Sequence, residues 1–335
     1  MSDKSILYLG NKLARLNRTP TAADILPGLL TEEGFRLYSF SSKKNKILRL
    51  SEMLYQTMIL SMKVDWVIID VYSTQNFWYA YLCGMICKLK SVPYINILHG
   101  GNLENRLRKR YFSFFNGADY NIAPSRFLYT KFTDAELKNL KFIPNAIALN
   151  EYEFKQRGKL KPKLLWVRAF AEIYNPFLAI QLLENVIQKY RDAELFMVGP
   201  KKDGSFEKCR AYARKHKLPV HFTGKLEKNE WHQLSEECDV FINTSTIDNT
   251  PVSIIEAMAL GLPVVSSKVG GIPFLIEDEV DGVLFENRNL QDFTNKTIDL
   301  LENRLDSMNI SMEARKKIEK FDWKIVKHLW INVLT

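Results

Sequence analysis

The sequence predicts an α/β protein of two facing, doubly wound, Rossmann-like domains with a cleft between them. The chain has 335 residues, which is enough for two domains of ordinary size. Short apolar runs alternate with longer stretches of helical periodicity, a pattern typical of parallel sheets covered by helices on both faces. The same alternation occurs in both halves of the chain, so each half predicts one domain.

In the first half, four apolar runs predict buried parallel strands that end in turn or polar residues. They are 5–10, 66–72, 93–99 and 120–125. Helical patterns lie between them, at 44–62 and 76–90. The first half therefore predicts one parallel sheet.

The second half repeats this organisation with six apolar runs. They are 163–170, 193–200, 220–224, 238–245, 262–268 and 282–286. Because ligands of open α/β sheets bind beyond the carboxyl ends of the strands, we expect the chemistry in the loops that follow these runs.

A polar, lysine-rich passage at 142–167 separates the two series of strands. We predict a first domain over 1–148 and a second over 149–320. The segment from about 321 to 335 has the pattern of an amphipathic helix, and we expect it to pack back on the first domain.

Composition indicates a globular protein with acidic partners. The chain is 46% hydrophobic and 25% charged, and no apolar run reaches the roughly 18 residues of a membrane-spanning helix. Its N-terminus lacks the pattern of a signal peptide, so we expect a cytoplasmic location. The net charge of +9 favours nucleotides, phosphates or anionic lipids. No nucleic-acid-binding signature occurs, and the four cysteines lack zinc-ligand spacing, so we expect neither nucleic acid nor a metal.

Two carboxylates flank the predicted start of a helix within residues 246–273. Asp248 precedes a Thr-Pro turn, and Glu256 follows after seven intervening residues, more than one turn into the helix. Pro251 fits the first helical position, with Asn249 or Thr250 as the cap.

The start of this helix is a candidate phosphate site. The N–H groups of Val252 and Ser253 would point out of the helix end, where the backbone carries partial positive charge. A carboxylate can accept hydrogen bonds from two sugar hydroxyls at once. Two acids with a phosphate site between them match the layout of a sugar–diphosphate–nucleoside.

The same segment resembles the signature of the family 4, or group 1, retaining glycosyltransferases, which have the GT-B fold. The matching residues are Asp248, Pro251, Glu256-Ala257-Met258-Ala259, Gly261-Leu262-Pro263-Val264-Val265 and Gly270-Gly271-Ile272-Pro273. Weaker similarity occurs at "FIPNAI" (142–147), "NIAPS" (121–125) and "LHGGN" (98–102).

This resemblance implies roles for individual residues. Glu256 would bind the donor's ribose hydroxyls, and Asp248 the hydroxyls of the transferred sugar. The backbone around Asn249, Thr250, Pro251 and Val252 would line the sugar and the diphosphate. Gly10 would allow close approach to the phosphates, and His99 would face the reacting sugar. These last two residues also have plain structural interpretations, a turn glycine and a loop-capping histidine.

The resemblance also implies a metal-independent hexosyltransferase with no cofactor beyond its nucleoside-diphosphate sugar, such as a UDP- or GDP-sugar. One departure concerns the cations that neutralise the diphosphate in the family. Aligned without a gap, the Arg and Lys positions hold Ala169 and Tyr174, and Arg168 lies one place earlier. We expect Arg168 to supply the charge and Tyr174 one hydrogen bond, with Lys201 and Lys202 as alternative cations.

The acceptor side is predicted from charge alone. The segment 102–118 places Arg106, Arg108, Lys109 and Arg110 among aromatic residues, which would suit the anionic inner face of a plasma membrane. The alternative is a half-buried helix with solvated arginines. A glycan or lipid-linked acceptor in bacterial cell-surface polysaccharide synthesis follows as the expectation.

Two other functions fit the same residues. A GT-B sugar-nucleotide epimerase would turn over the donor without an acceptor. A non-catalytic sugar-nucleotide binder would explain the missing cations at Ala169 and Tyr174.

Overall fold

The computed structural model describes residues 4–12, 21–100, 102–303 and 305–335. The chain divides into two compact units. One comprises Met1–Ala146 with Trp323–Thr335, and the other is Ile147–Asp322. The predicted domain boundaries, 148 and 320, each lie two residues from these.

The first unit contains a six-stranded sheet in which every neighbouring pair is parallel. Its strands are β1 Ser5–Leu9, β2 Arg36–Phe40, β3 Trp66–Tyr72, β4 Tyr94–His99, β5 Tyr120–Ala123 and β6 Leu140–Phe142. The order across the sheet is β2-β1-β3-β4-β5-β6. The four predicted strands are present, and the two edge strands, β2 and β6, are additions that the apolar runs did not reveal.

Five helices join these strands, as doubly wound topology requires. They are α1 Ala22–Glu32, α2 Lys46–Leu60, α3 Phe77–Leu89, α4 Lys109–Phe115 and α5 Arg126–Asp134. The helices predicted at 44–62 and 76–90 correspond to α2 and α3. Asn45 caps α2, because its side-chain oxygen accepts from the backbone N–H of Ile47 at 2.8 Å.

The second unit contains another six-stranded parallel sheet, with all six predicted strands. They are β7 Lys163–Val167, β8 Glu194–Val198, β9 Val220–Gly224, β10 Val240–Asn243, β11 Val264–Ser267 and β12 Val283–Phe285. The order is β12-β11-β10-β7-β8-β9. The prediction of two α/β domains, each with a parallel sheet, is therefore confirmed.

Seven helices complete the second unit. They are α6 Pro176–Val186, α7 Ser205–Lys215, α8 Lys228–Ser235, α9 Val252–Ala259, α10 Ile272–Leu275, α11 Leu290–Leu301 and α12 Ser307–Glu319. Six of the eight residues of helix α9 are buried, and the helix packs against β10, β11 and α12. Its buried body fixes the position of its N-terminal end, where the loop after β10 arrives.

The C-terminal helix α13, Trp323–Leu334, belongs to the first unit, as its amphipathic pattern suggested. Its Trp323, Val326 and Trp330 are buried in a core cluster that includes Ile6 and Tyr8 of β1. The indole N–H of Trp323 also donates to Glu33 at the end of α1, at 3.2 Å.

The described part of the chain has no helix that is both long and apolar enough to cross a membrane. Within the same residues, no cluster of three His, Cys, Asp or Glu side chains could hold a metal ion. Cys83 and Cys87 are buried on the inner face of α3, and burial raises their thiol pKa values to about 11 and about 12. Both cysteines therefore stay protonated at neutral pH.

Candidate functional site

The loop between β10 and α9 carries the predicted acids, and α9 begins one residue later than expected. Pro251 is the N-cap in extended conformation, rather than the first helical residue, and no side chain caps the helix. The prediction that Asn249 or Thr250 caps the helix is therefore wrong. The carbonyl of Pro251 instead accepts from the N–H of Ile254 at 3.1 Å, because proline can accept but not donate.

The first turn of α9 keeps free donors. Among the described residues, no backbone acceptor pairs with the N–H of Val252 or Ser253. The Ser253 hydroxyl is buried and likewise has no described partner. Unpaired buried polar groups are costly in a folded protein, so this turn is suited to an anionic ligand.

Hydrogen bonds from three neighbours hold the carboxylate of Asp248, which lies in the loop between β10 and α9. Its Oδ2 accepts from the guanidinium of Arg168 and, at 3.3 Å, from the Ser245 hydroxyl. Its Oδ1 accepts from the backbone N–H of Asn249 at 2.9 Å. The carboxylate is therefore paired with a cation and fixed in orientation.

Arg168 reaches this acid from the end of β7, so its side chain does lie at the predicted site. Its guanidinium lies over the ring of Tyr174, 4.9 Å from the ring centroid. The Nε–H is buried and has no partner among the described residues. Arg168 can therefore pair with Asp248 and still offer a donor to a second anion.

Tyr174 and Lys201 lie in surroundings that do not add a second cation beside Asp248. Tyr174 carries no charge and serves as the platform beneath Arg168, while its carbonyl accepts from the Thr244 hydroxyl at 2.8 Å. Lys201 is occupied elsewhere, since it lies over the ring of Phe206 and pairs with Glu207 at 3.7 Å.

The Gly270-Gly271 pair packs directly against the acid loop. The N–H of Gly271 donates to the carbonyl of Asp248 at 2.9 Å. A Cβ on Gly270 would lie 2.1 Å from the Asp248 carbonyl, and one on Gly271 would lie 1.9 Å from the Asn249 carbonyl. Both positions require glycine because the two backbones approach so closely.

Glu256 lies in α9, and a partner that we did not predict holds it. The Tyr152 hydroxyl donates to Oε1 of Glu256 at 2.8 Å, which leaves Oε2 for a ligand. Burial raises the pKa of Glu256, and the Tyr152 hydrogen bond and the charges of Lys228 and Arg168 oppose that rise. Burial and the neighbouring carboxylate raise the pKa of Tyr152, so it remains a donor.

Tyr152 is itself fixed by two residues of α8. The Lys228 ammonium lies over its ring at 4.4 Å, and the His232 ring packs against it at 4.7 Å between centroids. Burial lowers the pKa of His232 to about 4, so it is neutral at physiological pH. Nothing in the residues around Tyr152 signals this contact, because it is 104 positions from Glu256.

His99 lies in the first unit, at the end of β4, and is held by a buried carboxylate. Its Nε2 is 2.9 Å from Oδ1 of Asp70, whose side chain is fully buried. Tyr8 donates to the same oxygen at 2.8 Å, and Tyr72 donates to Oδ2 at 3.3 Å while stacking on the His99 ring. Because a carboxylate only accepts, the His99–Asp70 hydrogen bond places a proton on Nε2, which leaves Nδ1 of a neutral imidazole as an acceptor.

Gly10 follows β1 and packs over this carboxylate. A Cβ there would lie 2.4 Å from Oδ2 of Asp70 and 2.6 Å from Cβ of Ala23. This packing explains the glycine without a ligand, and its role toward phosphates stays a prediction. Gly101, the second glycine after His99, lies outside the described residues.

The basic segment before α4 divides into buried and exposed parts. Tyr111, Phe114 and Phe115 lie in the hydrophobic core and Phe112 is partly buried against it, so most of the aromatic surface of this segment is not available to a membrane. Arg106 donates to the carbonyl of Ser73 and lies over the ring of Phe77. Arg108, Lys109 and Arg110 are exposed, which corresponds to the alternative of a half-buried helix with solvated cations.

The family model "Glycosyl transferases group 1" matches residues 150–317, half of the chain. Its range contains Arg168, Tyr174, the acid loop and Glu256.

Two curated relatives each match less than half of the chain. Sulfoquinovosyl transferase SQD2 of Arabidopsis thaliana is 32% identical over 149 residues, covering 44% of this chain and 28% of the relative. N,N'-diacetylbacillosaminyl-diphospho-undecaprenol alpha-1,3-N-acetylgalactosaminyltransferase of Campylobacter jejuni is 27% identical over 114 residues, covering 34% and 30%. The chain thus spans less than a third of the length of either relative.

The fold is also that of a solved glucose-containing complex. The crystal structure of Anabaena Alr3699/HepE with UDP and glucose superposes with a TM-score of 0.75, covers 99% of each chain and has 19% sequence identity. At that identity the similarity establishes the GT-B fold.

Proposed function

This chain belongs to the group 1 glycosyltransferases, and from that membership we propose that it transfers a sugar from a nucleoside-diphosphate donor to a glycan or lipid-linked acceptor. The proposed setting is bacterial cell-surface polysaccharide synthesis at the cytoplasmic face of the membrane. The transferred sugar keeps its anomeric configuration, and the reaction needs no metal ion or other cofactor.

The observation that carries this proposal is the arrangement around the start of α9. Asp248 lies before the helix, Glu256 lies inside it, and the free N–H groups of Val252 and Ser253 lie between them in sequence. Glu256 binds the ribose diol through its free Oε2, the amides bind the diphosphate, and Asp248 binds hydroxyls of the sugar.

Positive charge at the leaving group is the main catalytic contribution. As the bond between the anomeric carbon and the diphosphate oxygen breaks, negative charge builds on the diphosphate. The helix-end amides stabilise that charge, and the unpaired Nε–H of Arg168 adds a cationic donor where the family has two separate residues. These groups supply the function that a metal ion serves in other transferases.

The acceptor's oxygen bonds to the anomeric carbon on the face that the diphosphate leaves. Its proton moves to the departing diphosphate oxygen, so no protein base is required. Arg168 holds the Asp248 carboxylate in a fixed orientation, which suits hydroxyl binding and electrostatic stabilisation of the oxocarbenium-like transition state.

His99 is the proposed acceptor-side group of the first unit. Its Nδ1 accepts a hydrogen bond from a sugar or acceptor hydroxyl, while Asp70 holds the ring in position. Asp70 touches no ligand in this scheme and is therefore a positioning residue. Gly10 retains its proposed role of allowing the phosphates to approach β1.

The relatives support the choice of substrates. The C. jejuni relative is named for a diphospho-undecaprenol acceptor, and the Anabaena structure contains UDP. Both relatives named above are transferases, which favours transfer over epimerisation and over binding without catalysis.

A thermal-shift panel of UDP-, GDP- and ADP-sugars tests the proposal, followed by turnover assays with the best ligand. A matched donor at 100 times its dissociation constant adds about 2.7 kcal/mol to the free energy of unfolding. We expect one nucleotide to raise the melting temperature, with slow donor hydrolysis that Asp248→Ala abolishes. No stabilisation by any nucleotide sugar, or epimerised donor without acceptor, would contradict the proposal.

A further inference from the structure

Helix α2 is apolar on both of its faces. Its inner side packs Leu50, Met53 and Leu54 into the core of the first unit. Its outer side exposes five large apolar residues, and a sixth follows directly in the short 3-10 helix Ser61–Lys63: Ile47, Leu48, Tyr55, Met58, Ile59 and Met62. At 3.6 residues per turn, the five within α2 fall in an arc of about 120°. A surface helix normally carries polar residues on that side.

Helix α3 carries a second stripe of the same kind. Trp78, Leu82 and Leu89 are exposed, and their spacing places them within an arc of about 40°. Leu89 is 82% exposed, Ile47 74% and Met62 71%, which is extreme for apolar side chains.

The two stripes form one continuous surface, here called the α2–α3 face. The inner sides of both helices pack into the same core cluster, so their outer sides face away from the sheet together. The Tyr79 hydroxyl donates to the carbonyl of Lys46 at 3.1 Å, and Lys90 donates to the carbonyl of Met58. The helices are thus parallel and side by side over their whole length.

Exposed apolar residues are concentrated here. Nine of the twenty large apolar side chains that are exposed in the described residues lie between Ile47 and Leu89. A contiguous patch of this kind marks an interaction surface rather than ordinary scatter.

The charges around the face identify its partner. Lysines lie at both ends of the two helices: Lys43, Lys44, Lys46, Lys63, Lys88 and Lys90. Over 41–92 the acids are Glu52, Asp65 and the buried Asp70. Arg110 extends the basic border, since it lies over the ring of Tyr111, which in turn contacts Trp78. Apolar side chains bordered by lysines match an anionic bilayer, whereas a second copy of the chain would bring lysine against lysine.

We propose that the α2–α3 face docks on an anionic lipid bilayer, with its apolar stripes in the interface and its lysines on the headgroups. The proposal deepens the proposed function, because it assigns the surface that brings the enzyme to a lipid-linked acceptor. The sequence alone predicts a membrane contact in the segment 102–118, where most aromatic side chains are buried. The proposal places the contact on α2 and α3 instead.

Co-sedimentation of the full chain with vesicles tests this surface. The probes are phosphatidylcholine vesicles with and without 30 mol% phosphatidylglycerol, a choice that isolates lipid charge. We expect binding to the anionic vesicles, and an at least ten-fold weaker partition for Ile47→Ser/Met62→Ser/Leu89→Ser. The control Met308→Ser/Met312→Ser/Ile325→Ser removes three other exposed apolar side chains and should bind as wild type.

Trp78 gives a local readout. Brominated lipids should quench its fluorescence, and Trp78→Phe should remove most of that quenching. Trp166, Trp231, Trp323 and Trp330 are buried. Trp66 is half-buried at the start of β3, where its indole N–H donates to the carbonyl of Leu334 in α13. Equal vesicle binding by the two triple variants, equal binding to neutral vesicles, or a dimer that the first triple variant disrupts would each overturn the proposal.

Donor binding separates this inference from the proposed function. Nucleotide-sugar stabilisation without vesicle binding would refute the docking face alone. Vesicle binding without nucleotide binding would refute the transferase and leave the docking face in place.

Discussion

The guanidinium of Arg168 donates to Oδ2 of Asp248, although the two residues are 80 positions apart in the sequence. The contact joins the loop after β7 to the loop after β10. These two strands are neighbours in one sheet. The contact orients the acid and leaves the Arg168 Nε–H buried, with no partner in the part of the chain that the structure describes. In the proposed function, this one side chain therefore serves both Asp248 and the donor's diphosphate.

Replacing Arg168 should lower the rate of sugar transfer strongly. We expect Arg168→Gln to reduce kcat by about 100-fold to 1000-fold, the usual effect of removing one preorganised donor at a developing charge. Arg168→Lys should recover only part, because an ammonium cannot pair with Asp248 and the diphosphate in the same fork geometry. Steady-state kinetics with the donor identified by thermal shift measures kcat for both Arg168 variants.

Lys201→Gln is the matched control for Arg168. Lys201 pairs with Glu207 and lies over Phe206, so its loss should leave kcat unchanged. Equal losses in the Arg168 and Lys201 variants would show that general positive charge, not this side chain, supports the reaction.

Glu256→Gln should stabilise the protein while weakening donor binding. Burial raises the pKa of Glu256 above 4.5, so the folded chain binds this proton more tightly than the unfolded chain. Ionisation of Glu256 therefore lowers the free energy of unfolding as the pH rises from 4.5 through the raised value. The amide avoids that cost and can still accept from Tyr152.

The expected result is a higher melting temperature than wild type at pH 7, with the difference narrowing toward pH 4.5. Donor affinity should fall by about ten-fold to 100-fold, as for loss of a hydrogen bond to a charged group. Melting curves across pH and calorimetric titration check the two effects. Unchanged donor affinity would remove Glu256 from the site.

Gly271→Ala should displace the acid loop. The new methyl group would lie 1.9 Å from the Asn249 carbonyl, so one of the two backbones must move. We expect a loss of stability of about 1–3 kcal/mol and a fall in kcat of at least ten-fold. Gly158→Ala, where nothing lies within 4 Å, should change neither quantity. A fully active Gly271→Ala variant would mean that catalysis does not depend on the position of the loop that carries Asp248.

Asp70→Asn should change the tautomer of His99. Without the carboxylate, Nε2–H loses the acceptor that fixes it, and Nδ1 is no longer held as the sole acceptor. Nitrogen-15 spectra of the imidazole report the tautomer directly. We expect kcat to fall. Donor affinity should stay within about two-fold of wild type, since the substitution removes no proposed contact with the donor. A stability loss with unaltered imidazole signals would make Asp70 purely structural.

Most of the fold follows from local sequence, and its omissions have a physical cause. Nine of the ten predicted strands are mostly buried, whereas β2 and β6 are the edges of the first sheet. The tenth, β9, is a half-exposed edge of the second sheet, and it was still predicted because Val220 and Phe222 alternate with polar residues. β2 includes Arg36 and Ser39 and is partly exposed, and β6 has only three residues. Edge strands need no continuous apolar run, so periodicity can miss them, as it does for β2 and β6.

The site was predictable where its residues are close in sequence. The order of Asp248, Pro251 and Glu256 locates the acids and the helix between β10 and β11. It does not locate Tyr152, which reaches Glu256 from a distant segment. Nothing in the local sequence distinguishes Tyr152 from the other tyrosines of the chain. The shift of the helix start to Val252 arises from the extended conformation of Pro251, which spacing alone does not specify.

A crystal structure of the chain with the nucleoside diphosphate chosen by thermal shift tests the central claim most directly. The account predicts diphosphate oxygens within hydrogen-bond distance of the Val252 and Ser253 N–H groups, with the ribose diol on Glu256. A nucleotide bound away from the start of α9, with Glu256 still bonded only to Tyr152, would contradict it.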